Sequence, residues 1–232
     1  MGVTPLTARA HVFVADLAAP RLAEDDHHHL ARVLRLPPGS PVTVADGAGR
    51  WRPACLAGGL EVTDVGEIVV DPRPEPVLTV AFALVKGERP ESIVQKLTEL
   101  GIDRIVPFVA ERSVVRWDEA KAARQHLRMT DIARQAAMQC RRAWLPQVDR
   151  VTSFDAVADL GGATMADLGG GPPRLDAPVA MVGPEGGWSD RELAAGLPRV
   201  GVGANVLRAD TAAVTVGAIL AALRSGLVAE RR

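Results

Sequence analysis

The pattern of apolar and polar positions divides this chain into two parts of different character. In the first part the apolar runs are short and alternate with polar residues, as over residues 9–15, 41–45 and 50–56. Such alternation is typical of strands that bury one face. Asp46-Gly47-Ala48-Gly49 separates the last two runs and predicts a hairpin turn. With one more strand over residues 67–70, we expect a small β-rich barrel with no room for strand–helix–strand units.

One short helix is expected within this first part. Asp25 or Asp26 can cap a helix over residues 27–33, and Pro37-Pro38-Gly39 ends it. The helix would begin with three histidines, but successive helical residues point in different directions and do not converge on one metal ion. No metal site is therefore expected. A surface helix start is the plain interpretation, and contact of His29 with a phosphate or base is the functional one.

A proline-rich segment, DPRPEP over residues 71–76, separates the two parts. Prolines at alternate positions continue neither a helix nor a central strand. After it, residues 77–85 are almost uniformly apolar, as in a strand buried on both faces, and residues 91–100 carry one apolar side, as in a helix. Strands then alternate with helices, which predicts a mostly parallel α/β domain over 77–232 after a first domain over 1–72. The other elements predicted are strands over 104–109 and 163–168, a short extended segment over 147–151, a long helix over 118–140 and a helical turn or two over 155–160.

The stretch 178–216 is the part around which the second domain is organised. An apolar run over 178–182 meets Gly183-Pro184-Glu185-Gly186-Gly187, and Ser189 with Glu192 has the spacing of a capping box. A second apolar run, 200–207, ends at Arg208-Ala209-Asp210-Thr211 before an alanine-rich helix. Ligand sites of open α/β sheets lie at the carboxyl ends of strands. Both turns are therefore candidates for a ligand site, although an ordinary strand-to-helix turn explains the glycines equally well. The patterns GxGxxG and GxxxxGK[ST] are absent, so neither a dinucleotide fingerprint nor a phosphate loop is present.

The last predicted helix, 211–228, combines a broad apolar face with many alanines and Gly217. Small residues permit close approach of another backbone. Burial inside one domain and a two-fold dimer interface both explain this face.

Composition and charge place the chain among compact intracellular proteins. The hydrophobic fraction of 47% is ample for a core, and no apolar run approaches the ~18 residues of a membrane span. The first ten residues lack the apolar segment of a secretory signal, and two distant cysteines do not suggest a disulfide, so we expect a cytoplasmic protein. The net charge of −1 does not indicate a nucleic-acid binder, but residues 111–150 hold nine Lys/Arg against five Asp/Glu. This local excess suits either a phosphate-binding face or a solvated helix.

A few single residues leave two interpretations open. Trp51 and Trp188 follow turns and can either stack on bases or fill the local core. Cys140, among arginines, is either a reactive thiol or a small buried residue.

Several motifs together make the chain resemble the RsmE family, the 16S ribosomal RNA uridine-N3 methyltransferases of the SPOUT superfamily. They are Arg9-Ala10-His11-Val12-Phe13-Val14, His29-Leu30-Ala31-Arg32-Val33-Leu34-Arg35-Leu36, Lys86-Gly87-Glu88-Arg89, Gln95-Lys96-Leu97-Thr98-Glu99-Leu100-Gly101, Gln139-Cys140-Arg141-Arg142, the GPEGG turn and Val206-Leu207-Arg208-Ala209-Asp210-Thr211. GPEGG followed by LRxxT, with QKxTELG upstream, is a specific combination, whereas each piece alone is weak.

The resemblance implies a fold and an activity. The fold is a C-terminal SPOUT α/β methyltransferase domain with a deep trefoil knot, after a small N-terminal PUA-like β-barrel domain that binds RNA. The activity is methyl transfer from S-adenosylmethionine to N3 of one uridine, conventionally numbered 1498, in 16S rRNA of the small ribosomal subunit, by a homodimer that needs no metal. A non-catalytic PUA-like RNA-binding protein is the alternative, and a nucleotide-binding oxidoreductase lacks its fingerprint.

The same resemblance, with the turns described above, implies the site residues. For the cofactor they are Leu168, Val182, Gly183, Pro184, Glu185, Gly186, Gly187, Gly203, Val206, Leu207, Arg208 and Thr211. For RNA they are Arg9, His29, Arg32, Arg35, Lys86 and Arg142. The expected catalytic residues are Arg208 as the stabilising cation and either Asp210 or Glu185 as the acceptor of the N3 proton; each acid also suits a helix N-terminus. The family usually has Glu at the place of Asp210, Gly at that of Arg141 and Glu at that of Met138.

Overall fold

The computed structural model describes residues 2–87 and 89–230, and its chain divides into two compact units. The first unit holds the residues up to 73 together with 135–145, and the second holds 74–134 together with the residues from 146 onward. The assignment of residues 135–145 to the first unit has no counterpart in the sequence patterns. The functional domains proposed over 1–72 and 77–232 stay predictions.

The first unit is built on one open sheet of five strands. Its strands are β1 Ala10–Phe13, β2 Pro41–Ala45, β3 Arg50–Leu56, β4 Val62–Thr63 and β5 Val69–Val70. The order is β1-β2-β3-β4, with β5 also on β3, and among the described residues the sheet does not close into a barrel. The predicted hairpin is confirmed, because Ala45 pairs with Trp51 in antiparallel β2 and β3. The exclusion of a strand–helix–strand unit was wrong: β1 and β2 are parallel, and the 27 residues between them are long enough for a helical crossover.

That crossover contains the predicted short helix in a different form. Helix α1 spans Glu24–His28 and continues as a π-helical turn, His29–Val33. Its N-cap is Ala23, which makes no side-chain cap, so the expected capping by Asp25 or Asp26 was wrong. Both aspartates lie instead in the first turn, where a negative charge interacts favourably with the helix dipole.

His11 links β1 to the 135–145 segment inside the first unit. Its Nε2 donates to the Arg142 carbonyl at 3.0 Å, and its Nδ1 lies 2.8 Å from the Thr43 hydroxyl. The ring is 3% exposed. Burial lowers the pKa of His11 from 6.5 to about 4, with the nearby Arg141 charge acting in the same direction, while the bond to Arg142 and the charge of Asp71 oppose the shift. His11 is therefore neutral at pH 7.

This buried histidine makes stability depend on pH. Because the folded pKa is below the unfolded one, the stabilisation is complete above about pH 6.5 and is lost as the pH falls toward 4, a total of about 3 kcal/mol. Chemical denaturation of wild type and His11→Gln, compared at pH 7 and pH 4.5, checks this. We expect the free energy of unfolding of the wild type to fall more steeply with acid than that of the variant; equal slopes would contradict the assignment.

The second unit is a three-layer α/β structure. Its strands are β6 Thr79–Ala83, β7 Arg104–Val109, β8 Gln147–Val148, β9 Thr152–Ser153, β10 Ala163–Gly171, β11 Val179–Val182 and β12 Arg199–Val200. Its helices are α2 Arg89–Glu99, α3 Glu119–Gln139, which ends in the first unit, α4 Phe154–Ala158, α5 Asp190–Leu193 and α6 Ala209–Arg224. The sheet order is β12-β10-β11-β6-β7-β8 with β9 also on β7, and every pairing is parallel. The predicted mostly parallel α/β fold is confirmed.

The central strand β6 is buried on both faces, as its continuous apolar pattern predicts. Val80 and Phe82 belong to the core beneath α2 and α6, whereas Ala81 and Ala83 belong to the core on the opposite face. Gly217 lets α6 approach α2, because a Cβ there would lie 2.6 Å from Leu97. One face of α6 is thus explained by burial within the unit. No helix among the described residues is long and apolar enough to span a membrane.

Three predicted boundaries were wrong in this unit. Helix α6 covers Ala209–Arg224 rather than 211–228, because it starts directly after Arg208 and Leu227 is 81% exposed. The predicted strand 163–168 was too short, because the glycines 169–171 complete β10. The apolar run 200–207 was expected to be extended throughout, yet only Arg199–Val200 pairs, and residues 201–208 are irregular.

Candidate cofactor site

Three parallel strands, β10, β11 and β12, are neighbours in the sheet and end at the same edge. The expected cofactor residues lie within the last part of a strand or after it: Leu168 near the end of β10, Val182 to Gly187 at the end of β11, and Gly203 to Thr211 after β12. The topology therefore collects at one edge segments that are up to 43 residues apart in sequence. Such an edge is where α/β sheets bind ligands.

The turn after β11 is held by its own hydrogen bonds. Gly187 has a φ of +71°, which favours glycine, and its N–H donates to the Pro184 carbonyl at 2.9 Å. The capping box is confirmed: the Glu192 N–H donates to the Ser189 hydroxyl at 3.2 Å, and the Ser189 N–H donates to the Glu192 carboxylate at 2.9 Å. Glu192 is fully buried and also accepts from the Glu111 N–H at 2.8 Å. The turn is therefore fixed at its base before any ligand binds.

Trp188 supports this turn from beneath. Its indole stacks with Phe108 at a centroid distance of 6.2 Å, meets Phe154 edge-on, and donates to the Ala166 carbonyl at 3.0 Å. With 7% of its surface exposed, it fills the core and is not placed to stack on a base. A Cβ on Gly183 would lie 3.0 Å from the indole, so this position requires a small residue. Trp51 is also 7% exposed and donates to Asp71, which settles it as a core residue too.

The end of β12 and the residue after it lie against β10, backbone against backbone. A Cβ on Gly170 would lie 2.6 Å from the Val200 carbonyl carbon, and one on Gly201 would lie 2.6 Å from the Gly170 oxygen. The Gly201 N–H donates to the Gly171 carbonyl at 2.7 Å. The glycines of β10 thus allow the chain to pass where side chains would not fit, and they place the 201–208 segment at the sheet edge.

Part of this edge is open to solvent. Glu185, Gly186, Gly187, Gly203 and Arg208 are exposed, and the apolar Leu168 and Val206 are 59% and 85% exposed. Thr211 is exposed as well, whereas Leu207 is packed against the core, and Val182 and Pro184 are buried. Exposed apolar side chains together with exposed glycines suit a flat, partly apolar ligand.

The two candidate proton acceptors have different surroundings. Glu185 forms an ion pair with Arg89, with 2.7 Å between Oε1 and Nη1. The Oδ1 atom of Asp210 is buried and has no hydrogen-bond donor among the residues the structure describes; the Arg208 Nε approaches it only to 3.5 Å. Arg112 lies against the turn, with its Nη1 3.4 Å from the Gly186 carbonyl oxygen.

Arg89 and Arg112 had not been singled out as site residues from the sequence. Arg89 ends the KGER motif, and a positive charge at a predicted helix start could have indicated that it is a site residue. Arg112 lies in a loop without any recognisable pattern. Among residues 2–87 and 89–230, no group of three or more His, Cys, Asp or Glu is arranged to hold a metal ion.

Comparison with known proteins identifies the chain. A family model described as the RNA methyltransferase domain matches residues 72–221. Ribosomal RNA small subunit methyltransferase E of Mycobacterium tuberculosis is 34% identical over 219 residues, which cover 84% of this chain and 83% of that protein. The enzyme of the same name from Synechocystis is 34% identical over 210 residues, covering 80% of this chain and 67% of that protein.

The chain belongs to the RsmE family. Two solved structures extend the likeness to three dimensions. RsmE of Neisseria gonorrhoeae bound to S-adenosylmethionine superposes with a TM-score of 0.75 at 26% identity and covers 92% of this chain and 97% of its own. A methyltransferase of Legionella pneumophila in complex with the same cofactor gives a TM-score of 0.80 at 26% identity, covering 91% and 96%.

Arg141 stands where RsmE proteins usually have glycine, and its contacts explain how this chain accommodates an arginine there. Its φ is +65°, a conformation that favours glycine after a helix end. The Arg141 guanidinium donates to the carbonyls of Pro5 and Ala8 at 3.1 Å and to that of Arg9 at 3.2 Å. These bonds offset the backbone strain and anchor the N-terminal segment. Met138, where RsmE proteins usually have glutamate, packs against the apolar core of the same unit.

The expected RNA-binding residues are distributed over both units. Arg9, His29, Arg32 and Arg35 are exposed in the first unit, Arg142 is half-buried there, and Lys86 is exposed in the second. Val33 and Leu34 are 60% and 45% exposed between Arg32 and Arg35, so apolar and cationic side chains alternate on this surface. The Cys140 thiol donates to the Ala137 carbonyl at 3.7 Å within the end of α3, which suits a structural role.

Proposed function

We propose that this protein transfers a methyl group from S-adenosylmethionine to N3 of a specific uridine in 16S rRNA of the small ribosomal subunit. The observation that carries the proposal is the open sheet edge, at which a preformed glycine turn follows β11 and the segment leading to Arg208 and Asp210 follows β12, in a chain of the RsmE family. The relatives are named for rRNA methylation, and related structures contain the cofactor. The position of the base, 1498, rests on the family resemblance.

The residues at the edge fit the cofactor chemically. Exposed Leu168 and Val206 offer apolar surface to a purine ring, and the exposed Gly186 and Gly187, which have no side chains, permit close approach. When bound, S-adenosylmethionine supplies an activated methyl group on a positively charged sulfur. The chain itself must then orient the base, accept the N3 proton and stabilise the charge left on the uracil carbonyl oxygens. Arg208 is the cation proposed for that stabilisation.

A non-catalytic RNA-binding protein is not favoured. Such a protein has no need for the capped glycine turn or for the irregular segment held at the end of β12. Both are intact here, and the relatives are named as methyltransferases.

RNA recognition is proposed to be divided between the two units. The first unit would act as a PUA-like RNA-binding domain in which Arg9, Arg32 and Arg35 hold phosphates and His29 contacts a phosphate or base, aided by Arg142. Lys86 would contact RNA close to the cofactor site. Contacts to phosphates position an RNA without reading its sequence, so a shaped target such as the assembled subunit suits a chain with a net charge of −1.

Two finer features of the family are also proposed. The close backbone contact of Gly170 with Gly201, followed by α6, supports a trefoil knot in the C-terminal segment. The half-buried Ala218, Ile219 and Ala222 on α6, near the exposed Leu227, support a homodimer interface on the side of that helix that the unit itself does not cover.

Calorimetry with S-adenosylmethionine tests the site at the glycine turn. Gly186 has an ordinary φ, and a Cβ there would lie 3.3 Å from the Arg112 Cβ and 3.4 Å from the Arg112 carbonyl oxygen, so valine can fold but would crowd Arg112 and shift the turn. We expect Gly186→Val to weaken cofactor binding at least about tenfold, a change of about 1.4 kcal/mol. Gly161→Val is the matched control, because a side chain there meets open space away from the edge. Unchanged affinity in folded Gly186→Val, or tighter binding of a nicotinamide cofactor by the wild type, would contradict the site.

A further inference from the structure

The two acids at the cofactor site differ in how freely they can take a proton. The Glu185 carboxylate receives a charge-assisted hydrogen bond from Arg89 at 2.7 Å. Protonating Glu185 would give up this bond and leave the Arg89 guanidinium facing a neutral acid. Arg89 is the first residue of α2, so the pair also ties the glycine turn to that helix.

Asp210 lies in the first turn of α6 with one oxygen out of contact with solvent. No donor among the described residues forms a hydrogen bond to its buried Oδ1. The Arg208 Nε, at 3.5 Å, interacts with it as a charge and not as a hydrogen-bond donor. The described residues form no hydrogen bond to the other carboxylate oxygen either, so that oxygen is the one that can accept from a bound base. The Asp210 side chain is 29% exposed, compared with 47% for Glu185, so water competes less for it.

We propose that Asp210 takes the N3 proton and that Arg89 is a positioning residue that holds Glu185 in the cofactor turn and keeps it out of the proton transfer. This assignment rests on the proposed function. It separates two residues that the sequence left equivalent, and it gives a role to Arg89. The charged groups that face the two acids are Arg208 for Asp210 and Arg89 for Glu185.

The chemical step balances with this assignment. The N3 proton moves to the Asp210 carboxylate, and the N3 electron pair forms the bond to the methyl carbon. The carbon–sulfur bond breaks with its electrons remaining on sulfur, which leaves neutral S-adenosylhomocysteine. Asp210 then releases its proton to water, and Arg208 stabilises the negative charge that develops on the uracil oxygens during the transfer.

The pH dependence of turnover distinguishes the two acids. Wild-type turnover should change little between about pH 6 and 8.5, because the protein itself, and not solution base, then supplies the proton acceptor. In Asp210→Asn the acceptor is lost, so we expect turnover to fall about 10²- to 10⁴-fold at pH 7 and to rise about tenfold per pH unit as solution base replaces it. Glu185→Gln should lower turnover less and keep the flat profile.

A double-mutant cycle tests the positioning role of Arg89. We expect Arg89→Gln to weaken cofactor binding measured by calorimetry, and Arg89→Lys to bind better than Arg89→Gln. The double variant Arg89→Gln with Glu185→Gln should bind the cofactor no more weakly than the weaker-binding single variant, because the two residues act as a pair.

Asp190→Asn, which also removes an acid from a helix start, is the matched control for helix effects in Asp210→Asn. Its turnover and pH profile should stay as in the wild type.

Several results would overturn the assignment. They are a flat profile in Asp210→Asn, a tenfold rise per pH unit in Glu185→Gln, and additive losses in the double variant. Calorimetry shows whether each variant is folded and binds the cofactor. A wild-type protein that binds S-adenosylmethionine but forms no 3-methyluridine would instead contradict the proposed function, and with it this assignment.

Discussion

Arg208→Ala is expected to lower turnover of methyl transfer by about 10²- to 10³-fold while changing the affinity for S-adenosylmethionine only a few-fold. Removal of one group that stabilises transition-state charge typically has an effect of this size. Arg208 is the N-cap of α6, but its side chain makes no capping hydrogen bond and is 63% exposed, so the variant should fold normally. The Arg208 charge is needed most when N3 loses its proton, so its removal should lower turnover more than affinity for the cofactor.

Single-turnover kinetics and calorimetry on the same preparations measure the two effects. Arg208→Lys should recover part of the loss, because it keeps a charge but not the planar guanidinium. Arg174→Ala is a matched control: Arg174 is an exposed arginine of the same unit, paired with Asp176. Equal losses of turnover and cofactor affinity in Arg208→Ala would assign the residue to binding alone.

Gly170→Ala is expected to disrupt the cofactor edge. The added Cβ would lie 2.6 Å from the Val200 carbonyl carbon and 2.7 Å from the Gly201 nitrogen, and these are backbone atoms that cannot turn aside as a side chain can. Overpacking of this kind destabilises by about 1–3 kcal/mol and more where the neighbours are rigid. The segment 201–208 would move from its place, so cofactor binding should be lost together with stability.

Gly171→Ala supplies the control at the very next position. There the nearest atom to an added Cβ is the Arg199 carbonyl oxygen at 4.0 Å, which is ordinary contact. Thermal unfolding and calorimetry should find Gly171→Ala close to wild type and Gly170→Ala impaired in both measurements. If Gly170→Ala kept wild-type stability and cofactor affinity, the contact between Gly170 and Gly201 would not be rigid as described.

The features that the sequence predicted correctly in the second unit are those decided locally. Continuous apolar residues predict the buried strand β6, because both of its faces meet cores. Ser189 and Glu192 predict the capping box because its two bonds join residues only three apart. The GPEGG turn follows from glycine conformations and the strand before it.

The features that the sequence did not predict depend on contacts between residues far apart in the chain. Glycines 169–171 have a low strand propensity, and only the close contact with Gly201 explains why they form part of β10. The parallel pairing of β1 and β2 depends on a crossover and not on their alternation. Arg89 pairs with Glu185 across 96 residues, so no local pattern distinguishes Glu185 from Asp210.

The most direct test of the central claim is mass spectrometry of nucleosides from 30S subunits, and from naked 16S rRNA, incubated with this protein and S-adenosylmethionine. The proposed function predicts 3-methyluridine at a single position in the assembled subunit, with less or none in naked RNA. A product on naked RNA alone would contradict the preference for the assembled particle, and absence of 3-methyluridine from both substrates would contradict the methyltransferase assignment itself.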